Sequence, residues 1–384
     1  MITILLQKIL AALTQLLGDI KTKLNTIKDN LDDLIVVATA SGPIASFTTT
    51  ITKPFISCNV EIKPKQASGT PTPSSPLPIS GTDTVIITQT GANLANIKPF
   101  ADWVVKKSYL CNSADLPRKR TKLVFIDNDT SVSLSGINFG FFDTSWDGIT
   151  NINSSQYRWV INNGVIQSEK RNIPTTNDTT IFLDGLFIYP NTEAAFNAVF
   201  ARYKIMVIPE NSTATTYEPY SATTKTVSLP ETVYGGEVDV IGGSGTKKFG
   251  VVDLGDLNWL RYSPEGTNIP VFYAGITDTA INKTNGLCEI FKVKAWEPLT
   301  SRTDMTLCPH PTIASIYVAD SDYTTVADFK AAVSGYKYIY ELATPTPITL
   351  ANPIELTALA GVNNVFGDTD GNTSVEYLKL YKEE

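Results

Sequence analysis

The feature that most constrains this chain is an aliphatic stripe along its first 34 residues. Its members recur at spacings of three and four: Ile2, Leu6, Ile9, Leu13, Leu16, Ile20, Leu24, Ile27, Leu31 and Leu34. An extra step of four between Ile20 and Leu24 interrupts the seven-residue repeat and would locally relax a left-handed supercoil. The next helix-breaking pair is Gly42-Pro43. The spacing therefore predicts a long helix that ends at this pair and associates as a coiled coil.

An amphipathic helix packed on its own domain would show the same periodicity, but a stripe this long exceeds what one globular helix usually buries. Membrane-surface adsorption is disfavoured because the polar face mixes both charges and carries no aromatic anchors. Leucine dominates one of the two core positions of the heptad and isoleucine occupies much of the other, which favours a coiled coil of three or four helices over a parallel dimer. We therefore predict a homotrimer with residues 1–41 as its stalk.

Charge and cysteine usage exclude several classes of function. The net charge of −7 argues against the basic face that nucleic-acid binding needs. Lys8, Asp19 and Lys21 interrupt the apolar stretch, so neither a membrane span nor a signal peptide is predicted, and assembly in the bacterial cytoplasm is expected. The four cysteines form no CxxC pair, so neither a zinc site nor a dense disulfide framework is predicted. No cofactor is predicted either.

Beyond the predicted helix, apolar and polar residues alternate in short runs separated by turn-forming residues. This pattern predicts a mainly β fold of β-sandwich or jelly-roll-like domains with a few short helices. One helix is expected at Thr192–Ala201 and another after the capping box of Thr325 and Asp328. A last short helix is expected between Asn352-Pro353 and Gly361, followed by a terminal strand.

Several phrases beyond about residue 50 carry a family resemblance. They are Ser57–Pro64 leading into Gly69–Pro76, Ser212–Tyr220 followed by Leu229–Gly236, Val252–Gly255 with Leu257–Trp259, and Tyr340–Pro345 with Asn363–Phe366. Together they resemble tail, baseplate and fibre proteins of phages and prophages of Gram-positive gut bacteria. The resemblance implies a structural protein of the virion, with a middle domain similar to carbohydrate-binding modules. It also implies other tail or baseplate proteins as partners through the N-terminal region, and host surface polysaccharide as the ligand.

The same phrases suggest a domain organisation. If the first two belong to one domain, the segment between them is an insertion, and Gly81–Gly91 should lie close to Tyr220–Lys225. The expected units are a β scaffold of residues 42–92 plus 222–255, an inserted β-sandwich of residues 93–221, a second β domain with a short helix at 256–345, and a C-terminal helix-strand segment at 346–384.

Catalytic and metal-binding signals are weak. The single histidine, His310, lies between two prolines and has no accompanying nucleophile motif, so no catalytic residue is predicted. Asp127-Asn128-Asp129 and Asp368–Asn372 offer oxygen ligands for calcium, but both fit turns better. No metal site is therefore predicted.

Aromatic residues give the best functional signal. The candidate glycan-binding residues are Trp146, Tyr157, Trp159, Asp143 and Asp147. Exposed aromatic rings stack on sugar rings while carboxylates accept hydrogen bonds from hydroxyl groups. Core packing explains the same residues equally well, because alternate aromatic residues on strands usually face inward. Trp146 is the strongest single candidate because its neighbours are polar.

These observations predict a fibre or baseplate subunit that binds host glycan. A purely architectural baseplate, collar or head-fibre component that binds other virion proteins is the main alternative. A glycan-degrading enzyme would need a cleft with paired carboxylates. A secreted bacterial adhesin is a further alternative, disfavoured by the absence of an export signal and a wall anchor.

Overall fold

The computed structural model describes residues 2–32, 35–94, 96, 100–102, 107–111, 121–142, 157–162, 164–166, 185–189, 192–209, 211–262, 269–276, 281–298 and 302–380. Over these residues the protein is mainly β and begins with a long helix, which confirms the predicted class at that level. The jelly-roll topology and the association of the helix stay predictions.

The described residues form three α-helices. They are α1 (Ile2–Asp32), α2 (Glu193–Arg202) and α3 (Val326–Val333). Thr192 caps α2 by accepting a hydrogen bond from the Ala195 amide at 3.2 Å, and Thr325 caps α3 by accepting from the Asp328 amide at 3.2 Å. A side-chain oxygen at this position satisfies an amide that has no partner within the helix. Both helices therefore begin where the sequence predicts.

The end of α1 differs from the prediction. The helix ends at Asp32 instead of continuing to Gly42-Pro43. Ile35–Gly42 form the first strand. This strand pairs along its whole length with the C-terminal strand, from Ile35 opposite Leu380 to Gly42 opposite Thr373. Its branched residues suit a sheet, and the partner strand is remote in sequence. The helix is therefore shorter than the stalk predicted over residues 1–41.

The strands, named in chain order, fall into seven sheets among the described residues. The first half holds β1 (Ile35–Gly42), β2 (Ala45–Thr49), β3 (Lys53–Pro54), β4 (Ser57–Ile62), β5 (Lys65–Gln66), β6 (Ile79–Ser80), β7 (Thr82–Thr90), β8 (Phe100–Asp102), β9 (Lys107–Cys111), β10 (Thr121–Asp127), β11 (Asn138–Phe142), β12 (Tyr157–Asn162), β13 (Val165–Ile166) and β14 (Gly185–Tyr189). The second half holds β15 (Tyr203–Pro209), β16 (Ala222–Val233), β17 (Gly236–Asp239), β18 (Ser244–Asp253), β19 (Leu260–Tyr262), β20 (Val271–Gly275), β21 (Ile281–Cys288), β22 (Lys292–Val293), β23 (Thr306–Pro309), β24 (Ser315–Ala319), β25 (Lys337–Thr349), β26 (Thr357–Ala358), β27 (Gly361–Gly367) and β28 (Thr373–Leu380).

Two of these sheets share one hydrophobic core. The seven-stranded sheet has the order β1-β28-β4-β17-β18-β25-β21, and the four-stranded sheet has the order β16-β7-β27-β2. Buried residues from both sheets meet between them: Phe47, Val85, Ile87, Val227 and Val365 from the smaller sheet, and Val60, Ile62, Val238, Val375 and Tyr377 from the larger. Burying each such aliphatic side chain contributes about 1.5–3 kcal/mol. This scaffold therefore combines N-terminal, central and C-terminal segments.

The segment 93–221 leaves and re-enters the scaffold at one place. Strands β7 and β16 pair antiparallel, with Ala222 opposite Thr90 and Lys225 opposite Ile87. Gly81–Gly91 and Tyr220–Lys225 thus lie side by side, as predicted. The described parts of the intervening segment include a six-stranded sheet of order β13-β12-β11-β14-β9-β8 and the pair β10-β15.

A second unit, residues 254–336, is bracketed by β18 and β25, which pair from Ser244 opposite Thr349 to Asp253 opposite Lys337. Its five-stranded sheet has the order β19-β20-β24-β23-β22. The inner face of this sheet packs on α3, where the buried Phe329 stacks on Phe272 at 4.1 Å and meets the edge of Trp259 at 4.9 Å. The outer face carries the site described below.

The C-terminal residues do not form a separate segment. Strands β27 and β28 belong to the two scaffold sheets, and β25 belongs to the scaffold as well as closing the second unit. The helix predicted between Asn352 and Gly361 is absent, because Ile354 donates its amide to the Val240 carbonyl at 2.9 Å and β26 pairs with β3. Tertiary hydrogen bonds here replace the local helical ones.

Candidate functional site

The glycan site predicted in the segment 93–221 is only partly covered by the structure. Asp143, Trp146 and Asp147 lie outside the described residues. Tyr157 and Trp159 lie on β12, which pairs with β11, but the description does not extend to their side chains. This site therefore stays a prediction.

The aliphatic stripe of α1 is exposed over the part where side chains are described, residues 7–27. The large apolar side chains exposed there, including two outside the predicted stripe, are Ile9, Leu10, Leu13, Leu16, Leu17, Ile20, Leu24 and Ile27. Each exposes between 46% and 66% of its surface in the single chain. Ile2, Leu6 and Leu31 lie on the same helix, and Leu34 lies outside the described residues. An exposed apolar face of this kind is typical of an interaction surface.

Two residues that the predicted stripe omits, Leu10 and Leu17, are the most exposed of the set, at 65% and 66%. Including them in place of Ile9 and Leu16 removes the interruption near Ile20. The resulting series keeps alternate spacings of four and three without a break: Leu6, Leu10, Leu13, Leu17, Ile20, Leu24, Ile27, Leu31 and Leu34. An unbroken series is what a regular left-handed coiled coil requires. Testing every possible register of the sequence would have found it.

A second candidate surface is a row of aromatic rings on the outer face of the five-stranded sheet. Side chains alternate between the two faces of a strand, so Phe272 and Val318 point into the core while Tyr273 and Tyr317 point outward. Tyr273 and Tyr317 are direct partners in the β20–β24 pairing, and their rings stack at 5.4 Å. The sheet therefore holds two half-buried tyrosine rings in a fixed arrangement.

Other rings extend the row in both directions. Tyr262 on β19, which is exposed, meets the edge of Tyr273 at 6.2 Å. On the other side Trp296 meets the edge of Tyr317 at 5.1 Å and contacts His310 at 4.3 Å. We call these five residues the aromatic row. Its members come from β19, β20, β24 and two connecting segments, so the folded sheet assembles it from residues distant in sequence.

His310 is fixed at one end of the row. Its Nδ1 accepts hydrogen bonds from the amides of Thr312 at 3.1 Å and Ile313 at 3.2 Å. An Nδ1 that accepts from backbone amides leaves the proton of the neutral imidazole on Nε2. The sequence shows only that His310 lies between two prolines, and the structure adds its ring contacts with Trp296 and Tyr317.

Arg302 lies beneath the same end of the row and is only 7% exposed. Its Cζ is 4.5 Å from the ring centre of Trp296 and 4.9 Å from that of Tyr317, so the guanidinium makes cation–π contacts with both rings. The Nε of Arg302 donates to the Glu297 carbonyl at 3.4 Å, whereas Nη1 and Nη2 have no hydrogen-bond partner among the described residues. Burial lowers the pKa of Arg302 from its usual value.

Asp320, which follows β24, is a second unusual charge in this unit. It is fully buried; Oδ1 accepts from the Asp322 amide at 2.9 Å, while Oδ2 has no hydrogen-bond partner in the described part of the chain. Burial, with repulsion from Asp322 and Asp304, raises the pKa of Asp320 to about 6. The described residues contain no group of three or more histidines, cysteines and carboxylates suited to hold a metal ion.

The chemistry available in the aromatic row is that of binding. Tyrosine and tryptophan faces offer an apolar platform for the flat face of a sugar ring, and their polar atoms can reach hydroxyl groups. The sequence signal for this row is weak, because Tyr273 and Tyr317 each stand among ordinary core residues of a strand. Only the pairing of β20 with β24 brings them together.

Comparison with known proteins adds no assignment. The chain matches no protein-family model, no curated protein and no solved structure. Across the described residues, no helix has both the length and the apolar character needed to cross a bilayer.

Proposed function

We propose that this chain is a subunit of a homotrimeric phage fibre or baseplate, and that it binds host cell-surface glycan through the aromatic row. The assignment to a phage adsorption apparatus is supported by the sequence phrases beyond about residue 50. The exposed stripe of α1 supports assembly from several copies. The observation that carries glycan binding is the row itself, which presents rings from three neighbouring strands on the outer face of a sheet.

Trimerisation would strengthen such a surface. A shallow stack of rings on sugar gives weak binding at a single site, because little area is buried. Three copies on one stalk convert the second and third contacts with a polysaccharide into intramolecular events, so the overall affinity rises well above that of one site. Repetitive surface polymers present the repeated epitopes that this arrangement needs.

The proposal is tested by Tyr273→Ala in the full chain. Removing the central ring should weaken binding to isolated wall polysaccharide and to Gram-positive host cells by about fivefold or more per site, since an aromatic contact contributes about 1 kcal/mol or more. Tyr220→Ala is the matched control, because Tyr220 is exposed but lies outside the row. Circular dichroism and a thermal melt would check that both variants fold.

A further variant, Trp146→Ala, separates the row from the site predicted at residues 143–159. Loss of binding in Trp146→Ala, with wild-type binding in a folded Tyr273→Ala variant, would place the glycan site in the segment 93–221 and refute the row. Loss in Tyr273→Ala alone would support the row.

A second function, an architectural contact with another virion protein, is favoured by one observation. Leu260, the register partner of Tyr273 on β19, is 55% exposed beside the row. An exposed leucine next to aromatic rings suits a protein partner better than a hydroxylated sugar. Chemical labelling of the tyrosines in intact particles distinguishes the two functions, because an architectural row would be protected there.

A further inference from the structure

The guanidinium of Arg302 is only partly hydrogen-bonded to the described residues. Neither Nη1 nor Nη2 donates a hydrogen bond to any described residue, although the side chain is more than nine-tenths buried. Buried charges are normally paired, because desolvation without a counter-charge costs several kcal/mol. The two ring contacts recover part of this cost but supply no acceptor oxygen. Two donor atoms of the guanidinium therefore have no acceptor among the described residues.

The charges around Arg302 do not supply that acceptor. Glu297 is the carboxylate whose charge acts on Arg302, but its Oε1 lies 3.5 Å from the ammonium of Lys294 and its Oε2 makes no hydrogen bond among the described residues. The Cys308 thiol and the Tyr317 hydroxyl are the other titratable groups that influence Arg302, and burial raises the pKa of Cys308, so the thiol stays neutral. Two cations thus share one carboxylate.

We propose that Arg302 is an oxyanion subsite at the end of the aromatic row, and that the ligand is an anionic glycan bearing carboxylate or phosphate groups. This inference rests on the proposed glycan function and names its ligand class. A guanidinium presents parallel N–H donors that match the two oxygens of a carboxylate or phosphate, and such charge-assisted pairs are among the strongest polar contacts. The neighbouring tyrosine rings would bind the sugar face while Arg302 binds the acid.

In this proposal the ligand reaches Arg302 by displacing Trp296, whose ring centre lies 4.5 Å from the guanidinium carbon. The indole is half-buried, lies against the guanidinium, and is held by ring contacts, with no hydrogen bond from its N–H within the described residues. Turning this ring aside exchanges its contact with the cation for hydrogen bonds from Nη1 and Nη2 to the ligand oxygens. Ligand binding should therefore change the fluorescence of Trp296.

The experiment compares short oligogalacturonate, its neutral methyl ester and short oligo(glycerol phosphate), titrated into the full chain and followed by calorimetry and tryptophan fluorescence. The wild-type protein should bind at least one of the two acids about tenfold or more tightly than the ester, since a hydrogen bond to a charged group contributes about 1.5–3 kcal/mol. Preference for one acid identifies carboxylate or phosphate as the natural group. Trp296→Phe should abolish the fluorescence change.

The decisive variant is Arg302→Gln, which should remove the preference for the acid, so that acid and ester bind equally tightly. Arg302→Lys keeps the charge without the paired donors and should give an intermediate preference for the acid over the ester. This variant therefore tests the subsite if the glutamine variant does not fold. Unchanged acid preference in both variants would overturn the subsite. Equal binding of acid and ester by the wild-type protein, with both lowered in Tyr273→Ala, would overturn the subsite but leave the proposed glycan function standing. Failure to bind any of the three oligomers would also overturn the subsite, and the host-cell assay would then decide the function separately.

Discussion

Replacing both Leu10 and Leu17 with serine should dissociate the proposed trimer. About two thirds of each side chain is exposed in the single chain, at 65% and 66%. Because full burial of a leucine contributes about 1.5–3 kcal/mol, covering the exposed part contributes about 1–2 kcal/mol per side chain. Two positions in three chains then give about 6–12 kcal/mol per trimer, which lowers the association constant by about four orders of magnitude or more.

Sedimentation velocity across the micromolar range measures this effect. Ile9→Ser with Leu16→Ser is the matched control, because it removes the same number of aliphatic side chains from the adjacent positions of the same helix. In the unbroken heptad these two residues flank the seam, so this variant should stay largely trimeric. The serine substitutions have similar helix propensity costs in both variants, so a difference between them reports the register and not helix stability.

The reverse outcome would refute the unbroken register. If Ile9→Ser with Leu16→Ser dissociates while Leu10→Ser with Leu17→Ser remains trimeric, the interrupted series that places Ile9 and Leu16 in the seam is correct. A wild-type protein that sediments as a monomer or a dimer would refute the trimer itself.

Three further predictions concern the unit that carries the aromatic row. Phe329→Ala removes the ring that stacks on Phe272 and should lower the free energy of unfolding by about 3–5 kcal/mol in urea; a loss below about 1 kcal/mol would contradict the packing. Thr325→Ala removes the cap of α3 and should lower the free energy of unfolding by about 1 kcal/mol while glycan binding stays unchanged. Weaker glycan binding by a fully folded variant would contradict this purely structural role. The pKa of Asp320 is about 6 in the folded protein, above the usual 3.8. The fold therefore favours the protonated carboxyl group, and this contribution to stability is complete below pH about 4 and is lost as the pH rises through 6. Asp320→Asn should therefore be more stable than the wild-type protein by about 1–3 kcal/mol at neutral pH and nearly equal to it near pH 4, and a pH-independent difference would contradict the burial of an ionised carboxylate.

Local signals predicted the helices well where short-range chemistry decides them. Thr192 and Thr325 cap α2 and α3 as the sequence indicates, because a cap depends on residues three positions apart. The predicted helix near Asn352 fails for the opposite reason. There a backbone hydrogen bond from Ile354 to the distant Val240 overrides the local preference.

The candidate site was harder to predict than the elements. Clustering of aromatic residues in sequence pointed to residues 143–159, whereas the described row combines Tyr262, Tyr273, Trp296, His310 and Tyr317 from separated segments. The alternation of side chains along a strand indicates that neighbouring residues lie on opposite faces of the sheet, but it does not indicate which face packs on the core. The packing of α3 on the inner face settles that for this sheet.

The long amphipathic helix, the mainly β character of the rest and the proximity of the two segments that flank residues 93–221 could all be reasoned from the sequence. Periodicity and turn residues are local quantities, and they were sufficient for the first two features, whereas the phrases that carry the family resemblance suggested the third. Tertiary structure alone decided that the helix stops at Asp32, since the following strand needs the C-terminal strand as its partner. It also decided that Tyr273 and Tyr317 stack, and that Arg302 lies buried against Trp296 with Nη1 and Nη2 unbonded among the described residues. These depend on pairings between remote strands, whose hydrogen bonds and register no local pattern encodes.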